Sequence, residues 1–332
     1  MTGIAVLGAG SWGTTLANHL VRRRCDVLLW SFEPEVAETI NREHHNPLYL
    51  PGVALDPGLL ATADPAQAVR GRTLVVSVSP SQTVRRVLAP LAPAIEPGAV
   101  IVGASKGIEI DTLMRMSEVA ESVLPGHAYV VLSGPSFAEE VEQGQPTAVV
   151  AASRDPAAAA EVQQLFATPT FRVYTSEDVV GTELAGSLKN VIAIAAGMLD
   201  GLGLGNNPRA ALITRGLAEI TRLGVAMGAD PRTFAGLAGV GDLVLTTCGN
   251  LSRNRALGVA LGQGRTLAEF QAGHRSVVEG VDTARAAVRM AERAGVEMPI
   301  TAKVAECLFE AKPVRQAIVE LMERTLKPEL WT

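Results

Sequence analysis

Short apolar runs alternate with segments of helical periodicity along the first half of the chain. The first run, 3–10, ends in glycines, and the later ones span 27–30, 73–78, 100–103, 128–132, 148–152 and 171–174. Segments such as 82–91 and 111–123 lie between these runs and are predicted as helices. Strands and helices that alternate in this way predict an α/β fold with a doubly wound, mostly parallel sheet.

The pattern changes near Glu177, after which strand-like runs disappear and helical periodicity dominates. The predicted helices of this part cover 183–199, 208–227, 231–237, 252–261, 266–271, 280–294, 299–310 and 314–323. We therefore predict two domains, an α/β domain over 1–178 and an all-α domain over 179–332. A chain of 332 residues is long enough to give each domain its own core.

A lysine, Lys189, falls inside a predicted helix that is apolar on nearly every face, in the segment 183–197. Small residues lie one helical turn to either side of it and leave room beside a long side chain. A buried lysine suits a general acid or base, because burial disfavours the charged ammonium. The alternative is a structural lysine that extends to solvent or pairs with Glu183 or Asp242.

The glycines that end the first apolar run match the pattern G-x-G-x-x-G, and a helix is predicted directly after them. Gly8 allows a tight turn, Gly10 lets the backbone approach a pyrophosphate, and Gly13 lets the helix pack on the strand. The N–H groups at the start of that helix attract the anion. This context favours a Rossmann-type dinucleotide-binding domain over a simple turn.

The choice between NAD and NADP is expected just after the second predicted strand, at Phe32 and Glu33. A carboxylate there binds the ribose 2′-hydroxyl of NAD, whereas an arginine accepts the 2′-phosphate of NADP. Glu33 therefore favours NAD slightly, and its alternative is an ordinary acid in the first turn of a helix. The arginines at 22–24 are interpreted as complementing a helix C-terminus.

Polar residues follow three later strands, at 79–81, 105–107 and 133–136. Ligands of doubly wound sheets bind at the carboxyl ends of the strands. Lys106 is thus placed where a second cation can face a substrate, and a solvated surface lysine is its alternative.

A glycine-punctuated segment, 236–255, connects two predicted helices and ends in the sequence Ser-Arg-Asn-Arg. An Arg-Asn pair that opens a helix combines a guanidinium, an amide donor and helix-start N–H groups, which together suit a phosphate. The alternative is that Ser252 only caps its helix and that the arginines are solvated.

The composition excludes several classes of partner. The net charge is −5 and the longest basic run is three residues, so nothing predicts a nucleic-acid or anionic-membrane partner. The apolar runs are shorter than the roughly 18 residues of a bilayer span, and the chain opens on a predicted strand without a signal-peptide pattern. Three separated cysteines predict free thiols, and the adjacent His44 and His45 do not predict a metal site. We expect a cytoplasmic protein without a metal and without membrane insertion.

Several ordered motifs occur along essentially the whole chain: GAGSWG at 8–13, YLPG at 49–52, SKGI at 105–108, LSGPSFAE at 132–139, LKNV at 188–191, GVGDL at 239–243, SRNR at 252–255 and VEG at 278–280. In these motifs the sequence resembles the bacterial-type NAD(P)-dependent glycerol-3-phosphate dehydrogenases. The resemblance implies reversible hydride transfer that reduces dihydroxyacetone phosphate to sn-glycerol 3-phosphate, the backbone precursor of phospholipids. It also implies a small phosphorylated substrate and a homodimer, the common state of the family.

The resemblance further implies a role for individual motif residues. Lys189 is the acid/base lysine at the substrate carbonyl, Asp242 supports it, and Lys106 contacts both substrate and cofactor. The implied substrate-binding residues are Lys106, Gly134, Ser136, Lys189, Asp242, Ser252, Arg253 and Asn254, with the last three at the phosphate end. Together with the fingerprint glycines and Glu33, the cofactor-binding residues are Gly8, Gly10, Ser11, Trp12, Gly13, Phe32, Glu33, Lys106, Ala138, Arg253, Val277 and Glu279.

Three positions depart from the usual family pattern. Bacterial members often have a basic residue or histidine just after the second strand, whereas 30–33 looks more like the NAD-using eukaryotic cytosolic relatives. Val84 stands where the family usually has phenylalanine, which predicts a weaker hydrophobic contact to the cofactor. The linker 248–251 differs from the more usual short polar one.

Two other functions are compatible with the same fold. 3-Hydroxyacid and ketopantoate reductases share the fingerprint and a lysine on the first helix of the second domain, but the triplet 252–254 and the Ser-Gly-Pro-Ser loop argue against them. A non-catalytic cofactor sensor would bind the coenzyme without turnover. It is disfavoured because every catalytic-type residue is in place.

Overall fold

The chain forms two compact units, and the computed structural model describes residues 2–273 and 277–329. The first unit comprises the chain up to Lys106 together with Met114–Val179. The second comprises Gly107–Leu113 and the chain from Val180 onward. A short segment that lies early in the sequence is therefore built into the second unit.

A single large sheet organises the first unit. The strands of its described residues are β1 Gly3–Leu7, β2 Asp26–Trp30, β3 His45–Asn46, β4 Leu50–Ala54, β5 Leu60–Thr62, β6 Leu74–Ser77, β7 Val100–Gly103, β8 Tyr129–Ser133, β9 Thr147–Ala152 and β10 Phe171–Ser176. Eight of them pair in the order β10-β9-β8-β7-β6-β1-β2-β5, while β3 and β4 form a separate antiparallel pair. Every neighbouring pair in the large sheet is parallel except β8 with β9, which confirms the predicted mostly parallel sheet.

Helices fill the chain between these strands. They are α1 Ser11–Arg22, α2 Pro34–Glu43, α3 Pro65–Val69, α4 Val84–Leu88, α5 Met116–Val123, α6 Ala138–Glu142 and α7 Pro156–Phe166. Two of them begin in the same way. Asp64 before α3 and Asp155 before α7 accept hydrogen bonds from first-turn N–H groups, and a proline follows each aspartate at the first helical position.

The central strand β1 shows why the sheet is parallel and buried. Its residues Ile4 to Leu7 have no exposed surface, and Ile4 pairs with Val27 on one side and Leu74 on the other. An unbroken apolar run of this kind is covered on both faces, as parallel strands are. The carboxyl ends of β1, β2 and β6 therefore lie at one edge, where doubly wound sheets bind their ligands.

From Val179 onward the described residues form helices joined by short connections and no strand, as the sequence predicts. Its helices are α8 Val179–Gly201, α9 Asn206–Ala226, α10 Pro231–Phe234, α11 Asp242–Cys248, α12 Arg253–Gly262, α13 Leu267–Ala272, α14 Glu279–Ala294, α15 Pro299–Phe309 and α16 Val314–Met322. A π-helical turn, Leu237–Gly241, leads directly into α11.

Helix α8 lies in the core of the second unit. It is 23 residues long with a mean hydropathy of 1.3 over its most apolar window, enough by length and composition to cross a membrane. However, 94% of that window is buried inside the protein, which is the position of a core helix. The bent pair Pro231–Cys248 and Arg253–Gly262 passes the same composition test with a 49° bend.

Three local predictions are wrong. The helix predicted over 111–123 begins only at Met116, because Leu113 adopts a left-handed φ of 62° that ends helical structure. The helix predicted over 82–91 is broken into α4 and flanking 3₁₀ turns, with Pro93 inside the second turn. The glycine-punctuated connection after α10 contains an additional helix, α11.

A buried carboxylate, Glu219 on α9, caps the start of α15. The backbone N–H groups of Ile300 and Thr301 donate to it at 2.7 and 3.2 Å, and the Thr301 hydroxyl donates at 3.2 Å. These N–H groups have no partner within their own helix, so Glu219 satisfies them. Burial nevertheless raises the pKa of Glu219 to about 7, and the hydrogen bonds only partly offset that rise.

The folded chain holds the carboxyl proton of Glu219 more tightly than the unfolded chain does, because the pKa is higher in the folded state. We therefore expect the stabilisation from this protonated carboxyl to be fully present below pH 4.5 and to be lost as the pH rises through about 7. Glu219→Gln, which cannot ionise, should remove roughly 3 kcal/mol of pH dependence from the free energy of unfolding. Urea unfolding at about pH 5 and about pH 8 measures it. Glu310→Gln, at an exposed glutamate just after α15, is the control and should leave the dependence intact. Equal pH dependence in both variants would contradict the assignment.

Candidate active site

The fingerprint glycines form the turn between β1 and α1. Gly8 has a φ of 124°, which favours glycine, and its N–H donates to the carbonyl oxygen of Trp30 at 3.1 Å. A Cβ on Gly13 would lie 1.8 Å from the carbonyl oxygen of Gly8, so only glycine lets α1 approach the turn this closely. A Cβ on Gly10 would meet no atom within 4 Å, and no side chain caps α1 from this N-cap position. Open space in front of uncapped N–H groups suits a pyrophosphate.

A hydrogen-bonded chain holds the carboxylate that follows β2. The Tyr49 hydroxyl donates to Glu33 at 2.7 Å, and the Ser11 hydroxyl donates to the Tyr49 carbonyl oxygen at 2.5 Å. Phe32, beside Glu33, is 75% exposed at the end of the strand. The structure thus brings together Ser11, Phe32 and Glu33, three of the predicted cofactor residues. It adds Tyr49, which the sequence analysis named within the YLPG motif without giving it a role at the site.

Two predicted substrate residues share one carbonyl oxygen in the first unit. The Lys106 ammonium donates to the carbonyl oxygen of Gly134 at 3.1 Å, and the Ser136 hydroxyl donates to the same atom at 3.0 Å. Gly134 has a φ of 145°, and a Cβ there would lie 2.9 Å from the Val149 backbone. Glycine is therefore required where the chain turns out of β8, and the turn gathers a cation and a hydroxyl at the carboxyl end of this strand.

Two other predicted cofactor residues of this unit lie on helices. Trp12, in the first turn of α1, has a buried indole N–H with no hydrogen-bond partner among the described residues. Ala138 is the first residue of α6.

The predicted catalytic lysine is buried in the second unit and held by two oxygen atoms. Lys189 is 6% exposed, and its ammonium donates to Asp242 at 2.7 Å and to the Thr246 hydroxyl at 2.6 Å. Asp242 and Thr246 are 1% and 3% exposed. The Thr246 hydroxyl donates in turn to the backbone carbonyl oxygen of Asp242 at 2.7 Å, so its lone pair faces the lysine. The carboxylate stabilises the protonated ammonium, which can then act as a proton donor.

The glycines before α11 determine where Asp242 lies. Gly239 adopts φ −89° and ψ −106° inside the π-helical turn, and a Cβ there would lie 2.1 Å from the carbonyl oxygen of Phe234. The turn places Asp242 at the start of α11, with Thr246 one helical turn later on the same face. That i, i+4 spacing is the sequence signal that could have identified Thr246.

The residues predicted to bind the phosphate, 252–254, lie at the start of α12. Ser252 is the N-cap residue, and its hydroxyl accepts from the N–H of Arg255 at 3.2 Å, so the capping role considered for it is observed. Arg255 is not solvated, because it pairs with Asp200 at 2.7 Å. Arg253 exposes part of its surface, yet burial of its guanidinium lowers its pKa, and the Glu279 carboxylate opposes that shift. It remains a cation at neutral pH.

Asn254 connects α12 to two other helices. Its amide nitrogen donates to the Asn190 side chain at 3.0 Å, and its amide oxygen accepts from the Gly280 N–H at 2.9 Å. Asn190 follows Lys189 on α8, so the lysine helix and the phosphate helix are joined through these amides. The two remaining cofactor residues, Val277 and Glu279, lie before and at the start of α14, with Val277 43% exposed.

The described residues contain no group of three or more His, Cys, Asp or Glu side chains arranged to hold a metal ion. The fingerprint turn, in contrast, fits a dinucleotide, since its uncapped helix start and open Gly10 supply anion-binding N–H groups.

Family models for NAD-dependent glycerol-3-phosphate dehydrogenase match both parts of the chain, the N-terminal model over residues 3–159 and the C-terminal model over 178–319. The chain belongs to this family. Its similarity to a glycerol-3-phosphate dehydrogenase (NAD(P)+) from Geobacter sulfurreducens is 61% identity over 331 residues, covering 99% of both chains.

Solved structures agree with this family assignment. The crystal structure of a glycerol-3-phosphate dehydrogenase from Coxiella burnetii is 40% identical with a TM-score of 0.94, and it covers 97% of this chain and 98% of its own. A ketopantoate reductase from Ralstonia eutropha matches at 18% identity with a TM-score of 0.60, over 96% of this chain and 99% of its own, which shows a shared fold only. The fold alone therefore does not separate the two families, whereas the family models do.

Proposed function

We propose that this member of the family reduces dihydroxyacetone phosphate to sn-glycerol 3-phosphate, with Lys189 as the proton donor. The single observation that carries the assignment of roles is the buried ammonium held by Asp242 and Thr246 at 2.7 and 2.6 Å. When bound, the reduced nicotinamide supplies a hydride to C2 of the substrate. The reaction is reversible, so the same lysine takes the proton back when glycerol 3-phosphate is oxidised.

Hydride addition places negative charge on the carbonyl oxygen, and a proton must reach that oxygen in the transition state. Lys189 donates it and becomes a neutral amine. Asp242 holds the ammonium before the transfer, and the Thr246 hydroxyl keeps the Nζ atom in place by accepting from it. Because these partners are buried, water does not compete for the ammonium and the electrostatic stabilisation is stronger than in solution.

The remaining predicted residues bind the two ends of the reactants. We propose that residues 1–178 form the dinucleotide-binding domain and that 179–332 carry the catalytic and substrate groups. The last three residues, 330–332, lie outside the described part. In the first domain, Lys106 and Ser136 are the residues predicted to bind the substrate, and their hydrogen bonds to the Gly134 carbonyl oxygen, which bring their polar atoms together, support this role.

The phosphate end is assigned to α12. Its helix-start N–H groups, the Arg253 guanidinium and the Asn254 amide supply the donors that a phosphate dianion needs. Burial lowers the pKa of Arg253 and the Glu279 carboxylate partly opposes that shift. The guanidinium stays charged at neutral pH.

Arg253→Ala is expected to raise the KM for dihydroxyacetone phosphate by about 10- to 100-fold while kcat changes much less, because a charge-assisted contact to the phosphate is lost. Steady-state kinetics at saturating coenzyme measure both constants. Arg232→Ala, at an exposed arginine paired with Asp230, is the control. An unchanged KM in the Arg253 variant would remove α12 from the phosphate site.

Cofactor choice is proposed to favour NADH slightly through Glu33. Tyr49 and Ser31 hydrogen-bond to this carboxylate at 2.7 and 3.5 Å, which holds it near the end of β2. A fixed carboxylate accepts from a ribose hydroxyl and repels a 2′-phosphate.

The experiment that tests the function is a spectrophotometric assay of dihydroxyacetone phosphate reduction, run in parallel with NADH and NADPH. Oxidation of either coenzyme supports the reaction, and the ratio of the two kcat/KM values tests the role of Glu33. Coenzyme binding without oxidation of either would favour a sensor. Turnover of a phosphate-free hydroxyacid alone would favour the reductase alternative.

We also propose that the chain works as a cytoplasmic homodimer that does not insert into membranes or bind nucleic acid, and that its product supplies glycerophospholipid synthesis. The resemblance supports the dimer and the metabolic role. The net charge of −5 and the burial of α8 support the absence of the other partners. Size-exclusion chromatography with light scattering tests the oligomeric state.

A further inference from the structure

Helices α8 and α12 touch through their backbones. A Cβ on Gly197 of α8 would lie 2.0 Å from the carbonyl oxygen of Arg255, and a Cβ on Gly258 of α12 would lie 2.0 Å from that of Ile194. Real Cβ atoms do not approach backbone atoms this closely, so a methyl group at either glycine must push the helices apart. The contact therefore fixes the separation of the two helices to within the size of a methyl group.

The same contact is repeated one turn further along. A Cβ on Gly201 would lie 2.3 Å from the carbonyl oxygen of Val259, and a Cβ on Gly262 would lie 2.5 Å from that of Met198. Each helix thus presents two glycines four residues apart to the other. Two successive contacts define the angle between the helices as well as their distance.

An ion pair holds the start of α12 at this distance. The Arg255 guanidinium donates to Asp200 of α8 at 2.7 Å, and the side chains are 19% and 11% exposed. Arg209 of α9 pairs with the same carboxylate. Arg255 also donates to Asn250 at 3.1 Å. The first turn of α12 is therefore bonded both to α8 and to the segment that precedes its N-cap.

The two helices of this pair each carry one half of the proposed chemistry. Lys189 lies eight residues before Gly197 on α8, about 12 Å along the axis. Arg253 and Asn254 lie directly beside Arg255 on α12, and Asn254 is bonded to Asn190. The proton donor and the residues predicted to bind the phosphate therefore lie on two helices whose backbones are in contact.

We propose that the paired glycines and the Asp200–Arg255 ion pair set the distance between Lys189 and the phosphate-binding residues Arg253 and Asn254. This distance selects substrates whose phosphate is carried on the carbon next to the carbonyl. This inference rests on the proposed function. Asp200 and the glycines are positioning residues in this proposal. They act through Arg253 and Asn254, whose alignment with the carbonyl decides whether the hydride-accepting carbon is correctly placed.

Asp200→Asn tests the ion pair with little change in volume. The probes are dihydroxyacetone phosphate, its homologue 1,4-dihydroxybutan-2-one 4-phosphate with one extra methylene, and unphosphorylated dihydroxyacetone. We expect kcat/KM for dihydroxyacetone phosphate to fall about tenfold, chiefly through KM, and preference over the longer homologue to fall by a similar factor. Turnover of dihydroxyacetone should stay unchanged, because its reduction needs Lys189 but this substrate has no phosphate for Arg253 and Asn254 to bind. Asp200→Glu keeps the carboxylate and should recover much of the discrimination.

Gly197→Ala tests the helix contact, with Gly205→Ala as the matched control because a Cβ on Gly205 meets no atom within 4 Å. The alanine at 197 should lower kcat/KM for dihydroxyacetone phosphate by about 100-fold, while the control leaves it unchanged. If the Gly197 variant does not fold, the Asp200 variants decide the matter.

Equal losses on dihydroxyacetone and on its phosphate in Asp200→Asn would show a general structural defect and overturn the proposal, as would unchanged discrimination between the two phosphates. Arg253→Ala separates this failure from failure of the proposed function. If Arg253→Ala raises KM but Asp200→Asn has no effect, the proposed positioning role is wrong and the assignment of the phosphate site to α12 is supported. If neither variant has an effect, the phosphate site itself is wrong.

Discussion

Lys189→Ala is expected to lower kcat by about 10²- to 10⁴-fold, because it removes the proton donor that acts on the developing alkoxide. Affinity for the coenzyme should stay normal, since the fingerprint turn is untouched. Pre-steady-state reduction of dihydroxyacetone phosphate and a separate fluorescence titration with NADH measure the two quantities. Near-normal turnover would refute the catalytic role and leave a structural ion pair with Asp242.

The substitution also leaves a buried carboxylate without its cation, which costs about 3–5 kcal/mol of stability. The double variant Lys189→Ala with Asp242→Asn removes both charges and should recover much of that stability while remaining inactive. Small primary amines added to Lys189→Ala should restore part of the turnover if the missing group is a proton donor. A general folding defect would not respond to them.

Gly13→Ala is expected to raise the KM for the coenzyme by about 100-fold and to cost about 1–3 kcal/mol of stability. The added Cβ would lie 1.8 Å from the carbonyl oxygen of Gly8, so either α1 or the turn must move. Both consequences follow from one displacement, because α1 packs on β1 and also presents its N–H groups to the pyrophosphate. Urea unfolding and coenzyme titration measure them separately.

Gly10→Ala is the matched comparison, since a Cβ at this position meets no protein atom within 4 Å. It should leave stability nearly unchanged and weaken coenzyme binding, because the methyl group occupies the space in front of the helix start. If Gly13→Ala and Gly10→Ala have the same effect on stability, the close packing of α1 on the turn is not what requires Gly13.

Features that depend on neighbouring residues could be predicted from the sequence. The turn at Gly8 and Gly13 was found because its glycines are adjacent in the chain, and the buried helix around Lys189 because one stretch is apolar on all faces. The Ser-Arg-Asn triplet at 252–254 was likewise recognised from adjacent residues, and its role in binding phosphate stays a prediction. Each is a local pattern whose meaning is fixed by backbone geometry.

Features that depend on distant residues could not be predicted in the same way. Thr246 meets Lys189 across 57 residues of sequence, and Asn254 meets Asn190 across 64. Strand β5 has only three residues, too few for a periodic signal. Helix α11 was missed because its preceding glycines indicated a loop, although they form the π-helical turn that leads into it.

The burial of α8 has a consequence for the newly made chain. During synthesis, α8 leaves the ribosome complete at Gly201, while the glycines of α12 that pack on it are not finished until Gly262, about 60 residues later. At roughly 5–20 residues per second this leaves a strongly apolar helix uncovered for several seconds. Nascent chains paused in this interval should be held by chaperones, and fragments that end between α8 and α12 should aggregate when expressed.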